Sequence, residues 1–122
     1  VMFNEPALNG FDRELSLKRE LEGSPYRIVE TKKIRALPLS TVLERHLPVG
    51  QGIDFMTVDC EGLDHRVLSS NDWSKFRPKY VLVEIFGSAL SALPEDVSFR
   101  LLESQGYRLV AKAMNTCIFA AF

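Results

Sequence analysis

Two near-continuous apolar runs, each tipped with an acid, constrain this chain more than anything else in its sequence. Ile53-Asp54-Phe55-Met56-Thr57-Val58-Asp59 and Tyr80-Val81-Leu82-Val83-Glu84-Ile85-Phe86 are apolar on successive positions, so neither reads as a strand with one wet face. Strands of that kind are buried on both sides and belong to parallel sheets, whose neighbours need a crossover connection of about a dozen residues or more. The stretch between the runs supplies one. Gly62 allows a tight turn, Leu63, Val67 and Leu68 follow the i, i+4, i+5 spacing of a short helix, and Trp73, Phe76 and Pro78 lead into the second run. A right-handed crossover then places both acid-bearing ends, Asp59 to Glu61 and Glu84 to Phe86, on the side of the sheet where α/β proteins bind ligands.

The flanking sequence extends this α/β alternation. Residues 1–26 mix Pro6, Gly10, Gly23 and Pro25 with charges and fit neither helical nor strand periodicity, so they read as an irregular lead-in with a short helical turn. Ile28, Glu30, Lys32 and Ile34 alternate with Val29, Thr31 and Lys33 as in an edge strand. Thr41 and Glu44 have the spacing of a capping box opening a helix that ends at His46 or Leu47. Pro94 suits the first position of a later helix with Val97, Leu101 and Leu102 as its buried stripe and Gly106 as its left-handed cap. Residues 107–112 and 116–122 form two strands joined by a turn at Asn115, an antiparallel hairpin. The expected class is a layered α/β domain spanning residues 1–122.

Composition narrows the classes further. A chain of 122 residues, 46% of them hydrophobic, buries roughly two-thirds of its unfolded surface and needs neither disulfides nor a structural metal. Lys and Arg total 15 against 16 Asp and Glu, which gives no electrostatic case for a nucleic-acid partner. Cys60 and Cys117 form no CxxC and read as reduced, buried thiols. The longest apolar stretch is too short to span a bilayer, and a cytoplasmic protein without a membrane partner is expected.

Chemistry concentrates at Asp59-Cys60-Glu61-Gly62-Leu63-Asp64-His65, where five acid, base or ligand side chains fall within one strand-to-helix turn. Carboxylates and an imidazole are the groups from which general bases are drawn. The bland alternative is that Glu61 and Asp64 complement a helix dipole while His65 faces solvent. A metal held by Asp59, Glu61 and His65 has no specific spacing behind it, and no metal is assigned. Glu84 either contacts a ligand at the strand end or pairs with Lys79 or Arg77. His46 is read as a helix-terminal dipole partner, Trp73, Phe76 and Phe86 as packing residues, and Arg35, Lys75, Arg77 and Lys79 as a solvated basic face.

IDFMTVDCEGLDHRVL, followed by RPKYVLVEIF and SQGYRLV, resembles the FkbM-type methyltransferases, and the likeness covers most of residues 27–122. Its most specific part is Asp59, Glu61, Gly62 and Asp64. Family members commonly have Lys-Ile-Asp-Val-Glu-Gly there, whereas this chain has Thr57-Val58-Asp59-Cys60-Glu61-Gly62 and so lacks one positive charge.

The resemblance implies a class I, Rossmann-like three-layer sandwich with residues 53–59 and 80–86 as its fourth and fifth strands and the hairpin as its last two. It implies S-adenosylmethionine as cofactor and a sugar or natural-product hydroxyl as methyl acceptor. On the same basis Asp59, Glu61 and His65 are expected to be catalytic, Asp59 and Cys60 to touch the cofactor, and Glu84 and Phe86 to touch the acceptor. The family's glycine-rich cofactor loop follows the first strand, yet here Gly50-Gln51-Gly52 precedes a strand. The expectation is therefore the C-terminal half of a methyltransferase domain, inactive by itself, or a noncatalytic assembly module of the same fold. A half-sheet without its first three strands exposes strand edges and apolar surface and is expected to self-associate through them.

Overall fold

The computed structural model describes residues 1–6, 9–21, 25–87 and 89–122; Gly23, one of the turn signals of the lead-in, lies outside them. The chain divides into two compact units, 1–36 with 60–63, and 37–59 with 64–122.

The larger unit is built on a four-stranded sheet of β3 (Phe55–Val58), β4 (Tyr80–Glu84), β5 (Tyr107–Ala113) and β6 (Thr116–Ala121), in the order β3-β4-β6-β5. β3 and β4 are parallel and in register from Phe55 opposite Tyr80 to Val58 opposite Val83. β6 runs antiparallel to both β4 and β5. The two acid-tipped runs are thus adjacent and point the same way, as their hydrophobicity requires, although each is shorter than its apolar stretch. Ladder pairing ends at Val58 and Glu84.

One face of this sheet carries the core. Val58, Val81, Val83, Cys117, Phe119 and Tyr107 alternate inward and are buried. Helices α3 (Asp64–Ser69) and α4 (Val97–Ser104) contribute Leu68, Phe99 and Leu102. Two edge-to-face aromatic pairs lock the layer, Trp73 on Tyr107 at 5.5 Å and Phe99 on Phe119 at 5.4 Å. The polar ends of the buried aromatics are satisfied: the Trp73 indole donates to the Leu68 carbonyl at 3.1 Å and the Tyr107 hydroxyl to the Pro78 carbonyl at 2.6 Å. The opposite face, expected to be buried as well, is not: Phe55 is 66% and Tyr80 47% exposed, because the described helices that pack on the sheet cover only one side of it.

Local chemistry moved several boundaries. Helix α2 (Leu39–His46) starts after Pro38 without a side-chain cap; Thr41 lies inside it, and Glu44 reaches Lys75 instead of closing a capping box. Pro94 sits within a 3-10 segment, Leu90–Glu95, and α4 starts after Asp96, whose carboxylate accepts from the amides of Ser98 and Phe99. The buried face of α4 is Ser98, Phe99 and Leu102, whereas Val97 is 56% exposed. Gly106 does take the left-handed conformation, φ 79°.

In the smaller unit β1 (Met2–Phe3) pairs antiparallel with β2 (Ile28–Glu30), so the edge strand expected through Ile34 is only three residues long. The lead-in is more regular than its pattern suggests. It contains the nine-residue helix α1 (Arg13–Leu21), opened by Asp12, whose carboxylate accepts from the Leu15 amide at 2.9 Å.

Candidate functional site

The carboxyl rim of the sheet is formed where β3 and β4 end side by side. Asp59 directly follows β3 and is exposed; Glu84 closes β4, half-buried, opposite Thr116 of β6. Phe86, two residues further, is 71% exposed and so offers an apolar surface at this rim instead of packing. The β5–β6 turn braces the same edge. The Ile85 amide donates to the Asn115 carbonyl at 2.8 Å, while the Lys112 ammonium donates to the carbonyls of Ile85, at 3.2 Å, and Met114. Lys112 brings a cation to the rim that sequence reading missed, because in an alternating strand it looks like any outward lysine.

The opposite end of these strands accounts for the basic residues. Lys79 pairs with Asp54 at 2.7 Å, and the Arg77 guanidinium lies over the Tyr107 ring and donates to the Gln105 carbonyl at 2.6 Å. Lys75 pairs with Glu44 at 2.6 Å. Neither Lys79 nor Arg77 is therefore the ion partner considered for Glu84. Trp73 and Phe76 are buried, as packing residues should be.

α3 carries Asp64, buried in its first turn, and His65, half-buried, whose Nε2 lies 3.3 Å from the Ser69 hydroxyl one turn on. Among the described residues no group of three or more His, Cys, Asp or Glu side chains is arranged to hold a metal.

The turn that carries Glu61 belongs to the smaller unit. The Leu63 amide donates to the Cys60 carbonyl at 3.2 Å, and both residues between them have positive φ, Glu61 at 50° and Gly62 at 93°. Paired positive φ values define a type I′ turn, ordinarily Asn-Gly or Gly-Gly. Gly62 meets that demand. Glu61 has a Cβ, and left-handed backbone costs such a residue roughly 1–2 kcal/mol.

Glu61 is held from α1: its Oε2 accepts from Arg19 Nη2 at 2.8 Å, with each side chain 30% exposed. Leu15, one turn before Arg19 on the same helix face, stands 3.9 Å from where a Cβ on Gly62 would lie. Arg19 carried no sequence signal, because the lead-in showed no periodicity that would place it. Cys60, expected with Asp59 to touch the cofactor, is half-buried at the start of this turn.

A mixed α/β sheet whose parallel strands end in carboxylates, followed by a strand–turn–helix with an acid in the turn, has the outline of a methyltransferase-like fold. The family model described as Methyltransferase FkbM domain matches residues 3–109, and the chain belongs to that family. The match takes in the lead-in with α1 and stops short of β6. Neither the curated proteins nor the solved structures include a match.

Among the described residues no helix is long and apolar enough to cross a membrane. The family implies S-adenosylmethionine, and these residues do not fit the whole of it. The only strand-to-helix connection that follows a described parallel strand with an acid-glycine turn is 59–63, which carries one glycine, while Gly50 and Gly52 precede β3. Among the described residues no glycine-rich turn follows a parallel strand to admit the cofactor close to the backbone.

Proposed function

We propose that this chain serves S-adenosylmethionine-dependent methyl transfer to a hydroxyl of a sugar or related small molecule, on a Rossmann-like sandwich to which it contributes the strands from β3 onward. One observation carries the reading: β3 and β4 lie parallel in register, so that Asp59 and Glu84 belong to one rim of the sheet. Ligands of α/β sheets sit beyond that rim. The family match adds the reaction class.

On this reading Asp59, exposed at the rim, takes the proton of the acceptor hydroxyl, and His65 is the second candidate for that role. Glu61 is assigned a catalytic role and Cys60 a cofactor contact through the motif they share with Asp59 in the sequence. Glu84 and the exposed ring of Phe86 face the acceptor. Positioning accounts for most of the acceleration, because the cofactor's sulfonium brings an already reactive methyl group. On this reading the rest of the cofactor site is contributed by polypeptide other than these elements, and these 122 residues by themselves are expected not to turn over, a view supported by the lack of a glycine-rich turn among the described residues.

Asp59→Asn with Glu61→Gln, assayed in the complete gene product, is expected to lower kcat by about 100-fold or more; wild-type turnover would remove both residues from the mechanism. A second reading, a noncatalytic assembly module, draws on the same lack of a glycine-rich turn among the described residues. Titration calorimetry with S-adenosylhomocysteine separates the two: one-to-one binding by the complete gene product supports the enzyme, and no binding supports the module. Tight binding by these 122 residues alone would instead show the cofactor site to be whole.

A further inference from the structure

We propose that Arg19 is a positioning residue of the methyl-transfer motif, gripping Glu61 so that the left-handed turn at 61–62 is held open and the Glu61 carboxylate keeps one direction. The inference rests on the reading that Glu61 serves methyl transfer. Three observations converge on it. Glu61 occupies a backbone conformation that its own side chain does nothing to favour, φ 50°, where Asn or Gly is the usual occupant. Something outside the turn must hold it there.

The second observation is the contact itself. The guanidinium reaches the carboxylate at 2.8 Å, and both side chains are 30% exposed, whereas the members of the other ion pairs among the described residues are 49% to 78% exposed. Shielding strengthens a charge-assisted bond and makes it less sensitive to salt. The third is the second point of attachment. Leu15 and Arg19 are four residues apart on α1 and so share a face; one lies against Gly62, the other on Glu61. Two successive turn residues are thereby gripped by one helix face, and α1 is fixed at its start by Asp12, which bonds the Leu15 amide. A planar guanidinium gives the carboxylate a direction that an ammonium does not.

The test compares the wild-type chain with Arg19→Met, Arg19→Lys and the charge exchange Arg19→Glu/Glu61→Arg by NMR, with 15N on the backbone and 13C on the glutamate carboxyls. Arg19→Met is expected to shift and broaden the amides of Glu61 and Gly62 and to move the Glu61 carboxyl resonance, while the amides of Val83 and Phe119 stay in place. Arg19→Lys should restore part of the wild-type pattern. The charge exchange should restore the turn amides.

In the complete gene product, Arg19→Met should lower kcat about tenfold with KM unchanged. Turn amides and carboxyl resonance that ignore the loss of the guanidinium would overturn the proposal, as would equal shifts throughout the chain, which mark a general loss of fold. Absence of transfer by wild-type protein, or wild-type turnover by Asp59→Asn/Glu61→Gln, overturns the methyl-transfer reading instead. In that case the NMR comparison still decides whether Arg19 sets the turn.

Discussion

Tyr107 shows how much one side chain joins in this fold. Its ring is buried against Trp73, its hydroxyl donates to the Pro78 carbonyl at 2.6 Å, and Arg77 covers its outer face. Burial pushes the phenol above its usual value of 10.0, against the opposing pull of Arg77. The folded state therefore holds the phenolic proton more tightly than the unfolded state. That contribution is fully present below 10.0 and is lost as pH rises through the raised folded value. The Cys117 thiol, also raised by burial from 9.0, acts in the same direction. Urea denaturation should show stability declining from about pH 9 upward, and Tyr107→Phe should flatten that decline while costing about 1–2 kcal/mol at neutral pH for the lost buried hydrogen bond. An alkaline limb as steep in Tyr107→Phe as in wild type would disprove the assignment. At this scale the sequence was informative where type alone decides. The motif acids could be named, and Trp73 and Phe76 could be placed in packing, but Arg19 and Lys112 owe their roles to partners on distant elements that no local pattern reports.

Among the elements, those marked by apolar runs were legible, and those governed by end chemistry were not. β3, β4 and β6 lie within the stretches their side chains indicate and β5 passes its own by Ala113 alone, although β3 and β4, expected to be buried on both sides, bury one face. Helix α1 was not legible because Leu15, Leu17 and Leu21 make no stripe; Leu21 is 82% exposed, and Asp12 rather than burial starts the helix. The two later helices invite a direct comparison of caps. Asp96 accepts from two amides at the start of α4, at 2.8 and 3.1 Å, whereas Thr41 lies within α2 and caps nothing. Asp96→Ala should destabilise the fold by about 1 kcal/mol, and Thr41→Ala by less than about half of that. Equal losses in thermal melts of the two variants would contradict this account of where the helices begin.

For the molecule as a whole, the open edge of the four-stranded sheet carries the main expectation. β3 has a single neighbour among the described strands, and Phe55-Met56-Thr57-Val58 contains none of the charges or prolines that discourage edge pairing. We propose that a second copy of the chain pairs there. Sedimentation equilibrium should find a dimer whose population falls about tenfold or more in affinity with Phe55→Lys, since a lysine on an edge strand opposes a like-charged copy; a wild-type chain that stays monomeric at high micromolar concentration would refute the pairing. The sheet order, β3-β4-β6-β5, has another consequence. β6 follows β5 in the chain, yet it fills the slot between β4 and β5. As the polypeptide leaves the ribosome, Tyr80 to Glu84 must wait until Thr116 to Ala120 have emerged before their second ladder can close. Until then, translation leaves the hydrophobic flank of β4 unzipped, and the rim that bears Glu84 matures only once β6 is in place.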